Sequence, residues 1–194
     1  MHDIQPFPKW RDTYVSEEDE NSPYYGTFYK HTDEKVIYNY LIHPYWDDFG
    51  SDTLYLKIIF ADYDTGQAII EFIGEWNDAI QNDIMEMKRH LMEPLLDNGI
   101  TRFILICENV LNFHASDDCY YEEWAEECRD GFNGGWICFL NTFDHVAQEM
   151  HEAGLDNYCY FGKNFNGFNW RIYSPKNIFE WVEARIKDSS RKLK

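Results

Sequence analysis

Thr101-Arg102-Phe103-Ile104-Leu105-Ile106-Cys107 decides the fold. Phe103 to Ile106 are four contiguous apolar residues with no polar alternation, the pattern of a strand covered on both faces by helices. Working upstream, Thr53 to Tyr63 and Gln67 to Ile73 flank Asp64-Thr65-Gly66, a hairpin signal. Between that hairpin and the central strand, Ile80, Ile84, Met87, Leu91 and Leu95 recur at spacings of three and four. The recurrence predicts a helix capped by Asn77 or Asp78, kinked or ended early by Pro94 and closed by Gly99.

Downstream, Ser116 or Asp117 is placed to cap a helix running to about Arg129. Its Tyr120 or Tyr121, Trp124 and Cys128 share one side, while Glu122, Glu123, Glu126 and Glu127 face outward. Trp136 to Leu140 reads as a short buried strand. Thr142 then caps a helix carrying Phe143, Val146, Met150 and Ala153, and Gly154 closes it before a strand at Tyr158 to Phe161. Trp170 to Tyr173 reads as one more short strand, and Ser174-Pro175 opens a terminal helix with Ile178, Val182 and Ile186. Successive strands joined by single helices pair in parallel through right-handed crossovers. The expected fold class is therefore α/β, a mostly parallel sheet with helices in the order ββαβαβαβα.

The first fifty residues have a different character. Pro6, Pro8, the acidic run Glu17 to Glu20 and Ser22-Pro23 supply no continuous apolar face, so residues 1–22 are expected to form an arm or loop. Tyr24 to Tyr29 and Lys35 to Ile42, separated by His31-Thr32-Asp33-Glu34, predict an N-terminal β-hairpin extension, with His43-Pro44 ending its second strand. The expected organisation is an arm and hairpin over 1–52, the α/β domain over 53–187 and a basic, frayed tail over 188–194. The tyrosine-rich segment is expected to cover a sheet edge, or to form the contact of a homodimer.

Composition narrows the function classes. The 194 residues are 44% hydrophobic, enough for one sizeable core, and 17 basic against 35 acidic side chains give a net charge of −18. Such a field repels phosphate backbones and anionic headgroups, so neither nucleic acid nor a membrane is an expected partner. No stretch approaches the roughly 20 apolar residues of a membrane span, and Met1 to Trp10 lacks a signal-type apolar run, which makes the cytoplasm the expected compartment. Cys107, Cys119, Cys128, Cys138 and Cys159 form no CxxC pair and are expected to be reduced core thiols. No cofactor is expected.

The order of elements over roughly 53–187 resembles the STAS domain, the family of the bacterial anti-anti-sigma factors. Three passages carry the resemblance: Ala68-Ile69-Ile70-Glu71-Phe72-Ile73-Gly74-Glu75, Arg102 to Cys107 followed by Val110-Leu111-Asn112-Phe113, and Glu152-Ala153-Gly154-Leu155-Asp156. They are similar to the family's second strand, its central strand with the following loop, and the close of its third helix. The resemblance implies a regulatory, non-enzymatic interaction domain. It also places Ser116 on the serine that a partner kinase phosphorylates in that family, with His114 and Asp117 standing where the family has aspartate and glycine.

Ser116 at a helix start is a candidate phosphate site, or a plain cap. The acidic surface formed by His114, Asp117, Asp118, Glu122 and Glu126 is a candidate docking face for a basic protein partner, or a solvated helix face. An alternative reading makes the protein a small metal-assisted hydrolase, with Glu75, Asp78, His114 and Asp118 as hard ligands at the carboxyl ends of the strands. Cys107, His114 and Cys119 are a second candidate metal or thiol set, countered by carboxylates that raise a thiol pKa.

Overall fold

Continuous apolar runs become the inner strands, and the amphipathic stretches between them become the layers that cover those strands. The computed structural model describes residues 4–30, 32, 34–131 and 134–192. A short ribbon pairs β1 (Lys35–Ile37) with β2 (Tyr40–Ile42) in antiparallel fashion. In the main sheet β3 (Leu54–Asp62), β4 (Gln67–Asn77), β5 (Arg102–His114) and β6 (Trp136–Leu140) lie side by side in that order. β3 and β4 are antiparallel, whereas β4–β5 and β5–β6 are parallel, as single-helix connections require.

The helices sort onto two faces. α1 (Asp83–Met87), a π turn over Lys88–Met92 and α2 (Glu93–Asp97) run without a break. With α3 (Cys119–Asp130) and α4 (Asp144–Glu152) they cover one face, packing Ile84, Leu91, Leu95, Trp124, Val146 and Met150 against Phe72, Phe103, Leu105 and Phe139. α5 (Pro175–Lys192) covers the other face through Ile178, Phe179 and Val182 over Ile69, Ile104, Ile106 and Leu140. β5 supplies residues to both layers, which is why its apolar run does not alternate.

Pro94 explains the π turn. Proline has no N–H to give to a carbonyl four residues back. The turn just before it widens, and the Glu93 N–H reaches the Lys88 carbonyl five residues earlier. The helical run does not end at Pro94 but continues through the π turn into α2.

Several expectations change. Lys35 to Ile42 is not one strand but both strands of the ribbon, turning at Tyr38-Asn39, while Tyr24 to Tyr29 forms turns and loop. His31 and Asp33 of the expected hairpin turn lie outside the described residues. The N-terminal segment has no helix or strand over 4–30, yet it is docked: Trp10 is buried against Trp170, their ring centroids 5.7 Å apart. β5 does not stop at Cys107 but continues through the expected loop to His114, because Val110 and Phe113 find core partners opposite Gly74 and Trp76.

Ile80, expected on the buried stripe, is 82% exposed, since the helix begins only at Asp83. Asp78 still caps it from a distance, its Oδ1 accepting the Ile84 N–H at 2.9 Å. Thr142 is no helix cap; its hydroxyl meets Asn166 Oδ1 at 3.3 Å. Tyr158 to Phe161 contributes a single bridge, Cys138 to Tyr160. Trp170–Ile172 is a 3-10 turn, because Trp170 is drawn wholly into the core under α5. Of the tail, residues to Lys192 continue α5, and Leu193 and Lys194 lie outside the described residues. Among the described residues no helix is long and apolar enough to cross a membrane.

Leu91 and Ile80 occupy the same sequence stripe but opposite environments, so their truncation separates core from surface. Leu91→Ala is expected to cost about 2–5 kcal/mol in urea denaturation, and Ile80→Ala less than about 0.5 kcal/mol.

Candidate functional site

β5 is longer than its neighbour on one side. β6 pairs only with Arg102 to Ile106, so Cys107 to His114 have β4 on one side and, among the described residues, no strand on the other. Side chains of α4 serve that edge: Glu149 accepts the Phe113 N–H at 3.2 Å, and His145 Nε2 lies 2.7 Å from the Leu111 carbonyl. On the face away from α3 and α4, the β1–β2 ribbon settles over the top of the sheet. Ile37 and Ile42 pack with Ile73, Tyr55 and the fully buried Trp46. Across an opening the ribbon faces Asn109 and Leu111 of β5.

An open groove of ≈ 400 Å³ remains, lined by Ile4, Ile37, Tyr38, Tyr40, Ile42, Ile73, Gly74, Glu75, Asn109 and Leu111. Its walls are mostly apolar, and three of them are unusually exposed: Tyr40 at 73%, Tyr38 at 60% and Leu111 at 55%. It lies along the carboxyl-terminal halves of two parallel strands, the end at which open α/β sheets receive ligands.

Two backbone features shape it. Gly74 has φ +123°, and a Cβ there would lie 2.0 Å from the Thr53 carbonyl, so only glycine lets β3 and the ribbon come this close. Tyr38 holds φ +55° in the ribbon's two-residue turn, a position that normally favours glycine. A tyrosine held there is strained, and the strain persists only where other contacts fix it. The contact is Glu75: the Tyr38 hydroxyl donates to its Oε2 at 2.5 Å, and Asn112 Nδ2 donates to its Oε1 at 2.7 Å. The Glu75 backbone is held as well, its N–H on the Thr53 carbonyl at 2.8 Å and its carbonyl accepting the Thr53 hydroxyl at 3.0 Å.

Farther down the same face lies a buried charge cluster. Glu71, with no exposed surface, accepts the Phe7 N–H at 2.8 Å and faces Arg171 at 3.3 Å. Arg171 also pairs with Glu108 and lies over the Trp170 ring, 4.5 Å from its centroid. Burial pushes the Glu71 carboxyl up to about 7, against the opposing pull of the Phe7 N–H and Arg171. The cluster ties the N-terminal segment and the Trp170 turn to the sheet.

The structure disperses the residues picked out by sequence. Asp78 is not on an open rim: it is buried, takes the Tyr121 hydroxyl at 2.6 Å and the Trp76 indole N–H at 3.0 Å, and burial lifts its carboxyl to about 6. Glu75 is turned to Tyr38 and Asn112. His114 ends β5 and is exposed, and Asp118 is the N-cap residue of α3. Among the described residues no group of three or more His, Cys, Asp or Glu is placed to hold a metal ion, so Glu75, Asp78, His114 and Asp118 are not such a set, nor are Cys107, His114 and Cys119. Cys107 is buried with its thiol pKa raised by that burial, and Cys119 is exposed.

Ser116 is exposed and precedes the α3 N-cap by two residues, so it is not the cap; Asp117 Oδ1 takes the Cys119 N–H at 2.9 Å instead. On α3, Glu122 and Glu126 face solvent. Glu123 and Glu127 close around the buried Lys88 ammonium at 3.3 and 3.2 Å, together with Glu93 at 3.2 Å. Part of the acidic face is thus spent inside the molecule. Tyr38 and Tyr40 belong to the tyrosine-rich segment that the sequence offers as an edge cover or contact surface, whereas Leu111 carries no such signal in the sequence.

No protein-family model matches the chain, and no curated protein sequence matches it significantly.

The buried Glu71 sets a pH dependence. Its folded pKa of about 7 exceeds the ordinary 4.5, so the folded state holds the proton more tightly. Its stabilising contribution is complete below about pH 4.5, falls as pH rises and is gone above about pH 7. Glu71→Gln is expected to flatten the stability–pH curve across that window by about 3 kcal/mol, measured by denaturant titration at successive pH values. A slope equal to that of the unsubstituted protein would contradict it.

Proposed function

We propose that this protein is a non-enzymatic, regulatory interaction module of STAS-like architecture that holds a segment of a partner protein in the groove beside the β1–β2 ribbon. The observation that carries this reading is the groove itself. It is open, apolar, of a size that falls within the range of about 300–1,000 Å³ usual for binding sites, and flanked by exposed Tyr38, Tyr40 and Leu111. Aromatic residues in such a position bring large contact area with few rotamers to fix.

The STAS-like part of the proposal is supported by strand order. An antiparallel first pair is followed by parallel additions, each reached through helix on one face, and a terminal helix crosses the other. The net charge of −18 supports a basic partner, whose approach it accelerates. The acidic surface of α3 is the weaker docking candidate, because Glu123 and Glu127 are already committed to Lys88.

The test is selection from a displayed library of random peptides on the purified full chain. Enriched peptides are expected to bind the unsubstituted protein and to lose at least about ten-fold in affinity on Leu111→Asp or Tyr40→Asp, both exposed positions where the fold tolerates a charge. Far-ultraviolet circular dichroism confirms that the variants fold. Absence of enrichment, or peptides indifferent to both substitutions, overturns the reading.

A further inference from the structure

Glu75 is the charged side chain among those lining the groove, and its hydrogen bonds are all from neutral groups. Among the described residues it forms no ion pair. Other carboxylates of the chain are matched to cations, Glu71 and Glu108 sharing Arg171, and Glu17 and Asp47 sharing the buried Lys57 at 3.2 and 3.1 Å, or, like Asp78, are held by neutral donors within the core. Glu75 instead lines an open groove. A carboxylate has about four acceptor positions, and Tyr38 and Asn112 fill one on each oxygen. Two remain, on a charge whose direction is fixed by a strained tyrosine, an amide and both of its own backbone groups.

A purely apolar segment laid in the groove would strip water from this uncompensated charge, and desolvating an unpaired carboxylate is strongly unfavourable. A segment that brings an ammonium or guanidinium group replaces the lost water with a charge-assisted bond. We infer that the groove's occupant is a partner segment in which a Lys or Arg lies next to an aliphatic or aromatic anchor, and that Glu75 is the residue that reads the cation. The inference rests on the groove being the binding site, and it deepens that reading by naming the chemistry of the ligand. The anchor takes the apolar wall near Ile73 and Leu111, and the cation takes the free acceptor positions of Glu75. Tyr38 and Asn112 act as positioning residues, holding the carboxylate before the ligand arrives.

The experiment is a double-mutant cycle between the full chain and a peptide selected on it. Selected peptides are expected to carry Lys or Arg at a constant distance from an apolar residue. Glu75→Gln in the protein, and replacement of that cation by glutamine in the peptide, are each expected to weaken binding on the order of ten-fold. The two changes together are expected to cost little more than either alone, and affinity for the original peptide is expected to fall as salt is added. A role for Glu75 that is only structural would instead make the two losses multiply.

The peptide substitution is made against the unsubstituted protein, so it decides the matter even if Glu75→Gln disturbs the ribbon. Peptides without a recurrent cation, bound equally by Glu75→Gln and lost on Leu111→Asp, would overturn the inference while leaving the groove as the site. Binding that survives Leu111→Asp would remove the groove reading and the inference with it.

Discussion

The upper half of this molecule follows from one mismatch of length. β5 runs thirteen residues alongside β4, but β6 accompanies it for only the first five. A parallel strand needs cover on both faces and partners on both edges. Where β6 ends, each requirement is met by an improvised part. Glu149 and His145 of α4 serve the open edge, Val110 and Phe113 join the core beside Gly74 and Trp76 of β4, and the β1–β2 ribbon roofs the opposite face. The roof is narrower than the surface it covers, and the groove is what remains uncovered. Its position is a result of strand length, and its chemistry a result of which residues stand there.

Charge inside the fold follows a consistent rule. An acidic chain that buries Glu71, Asp47, Asp78 and Asp83 gives each a donor: Arg171 and the Phe7 N–H, Lys57 and Tyr29, Tyr121 with Trp76, and the Asn77 N–H respectively. Burying a carboxylate without such partners would leave its desolvation uncompensated. The few basic residues are spent economically, Lys57, Lys88 and Arg171 each meeting two or more carboxylates. Asp78 and Asp83 are held by neutral donors inside the core, whereas Glu75 is held by neutral donors at the wall of an open groove.

The sheet was legible where side-chain pattern and backbone state coincide. Phe103 to Ile106 announced a strand buried on both faces, and Asp64-Thr65-Gly66 announced the β3–β4 turn. Legibility failed where a long-range partner overrides local pattern. Leu111 and Asn112 look like loop residues after Glu108-Asn109, but pairing of Val110, Asn112 and Phe113 with Gly74 to Trp76 of β4, and the α4 side chains on the other edge, keep the segment in a strand with Leu111 at a register irregularity. Ile80 fits the helical period yet precedes the helix, because Asp78 takes the Ile84 N–H and fixes the start later. Glu71 and Arg171 are a hundred residues apart in sequence, and no local pattern joins them. The groove was hidden for the same reason, since its two walls come from a ribbon at 35–42 and a strand segment at 109–112. The mixed α/β sheet, by contrast, one antiparallel pair followed by helix-connected parallel strands, can be read from element order alone, because topology depends on the order and length of elements more than on any one contact.

The most direct measurement of the central claim is a ¹⁵N–¹H spectrum of the full chain during titration with a library-selected peptide. The groove account predicts shifts concentrated at amides of 37–42, 73–75 and 109–112, with the α3 amides of 119–130 unmoved. Shifts confined to α3 and the segment around Ser116, with the ribbon and the end of β4 silent, would contradict it and move the binding site to the acidic helix face.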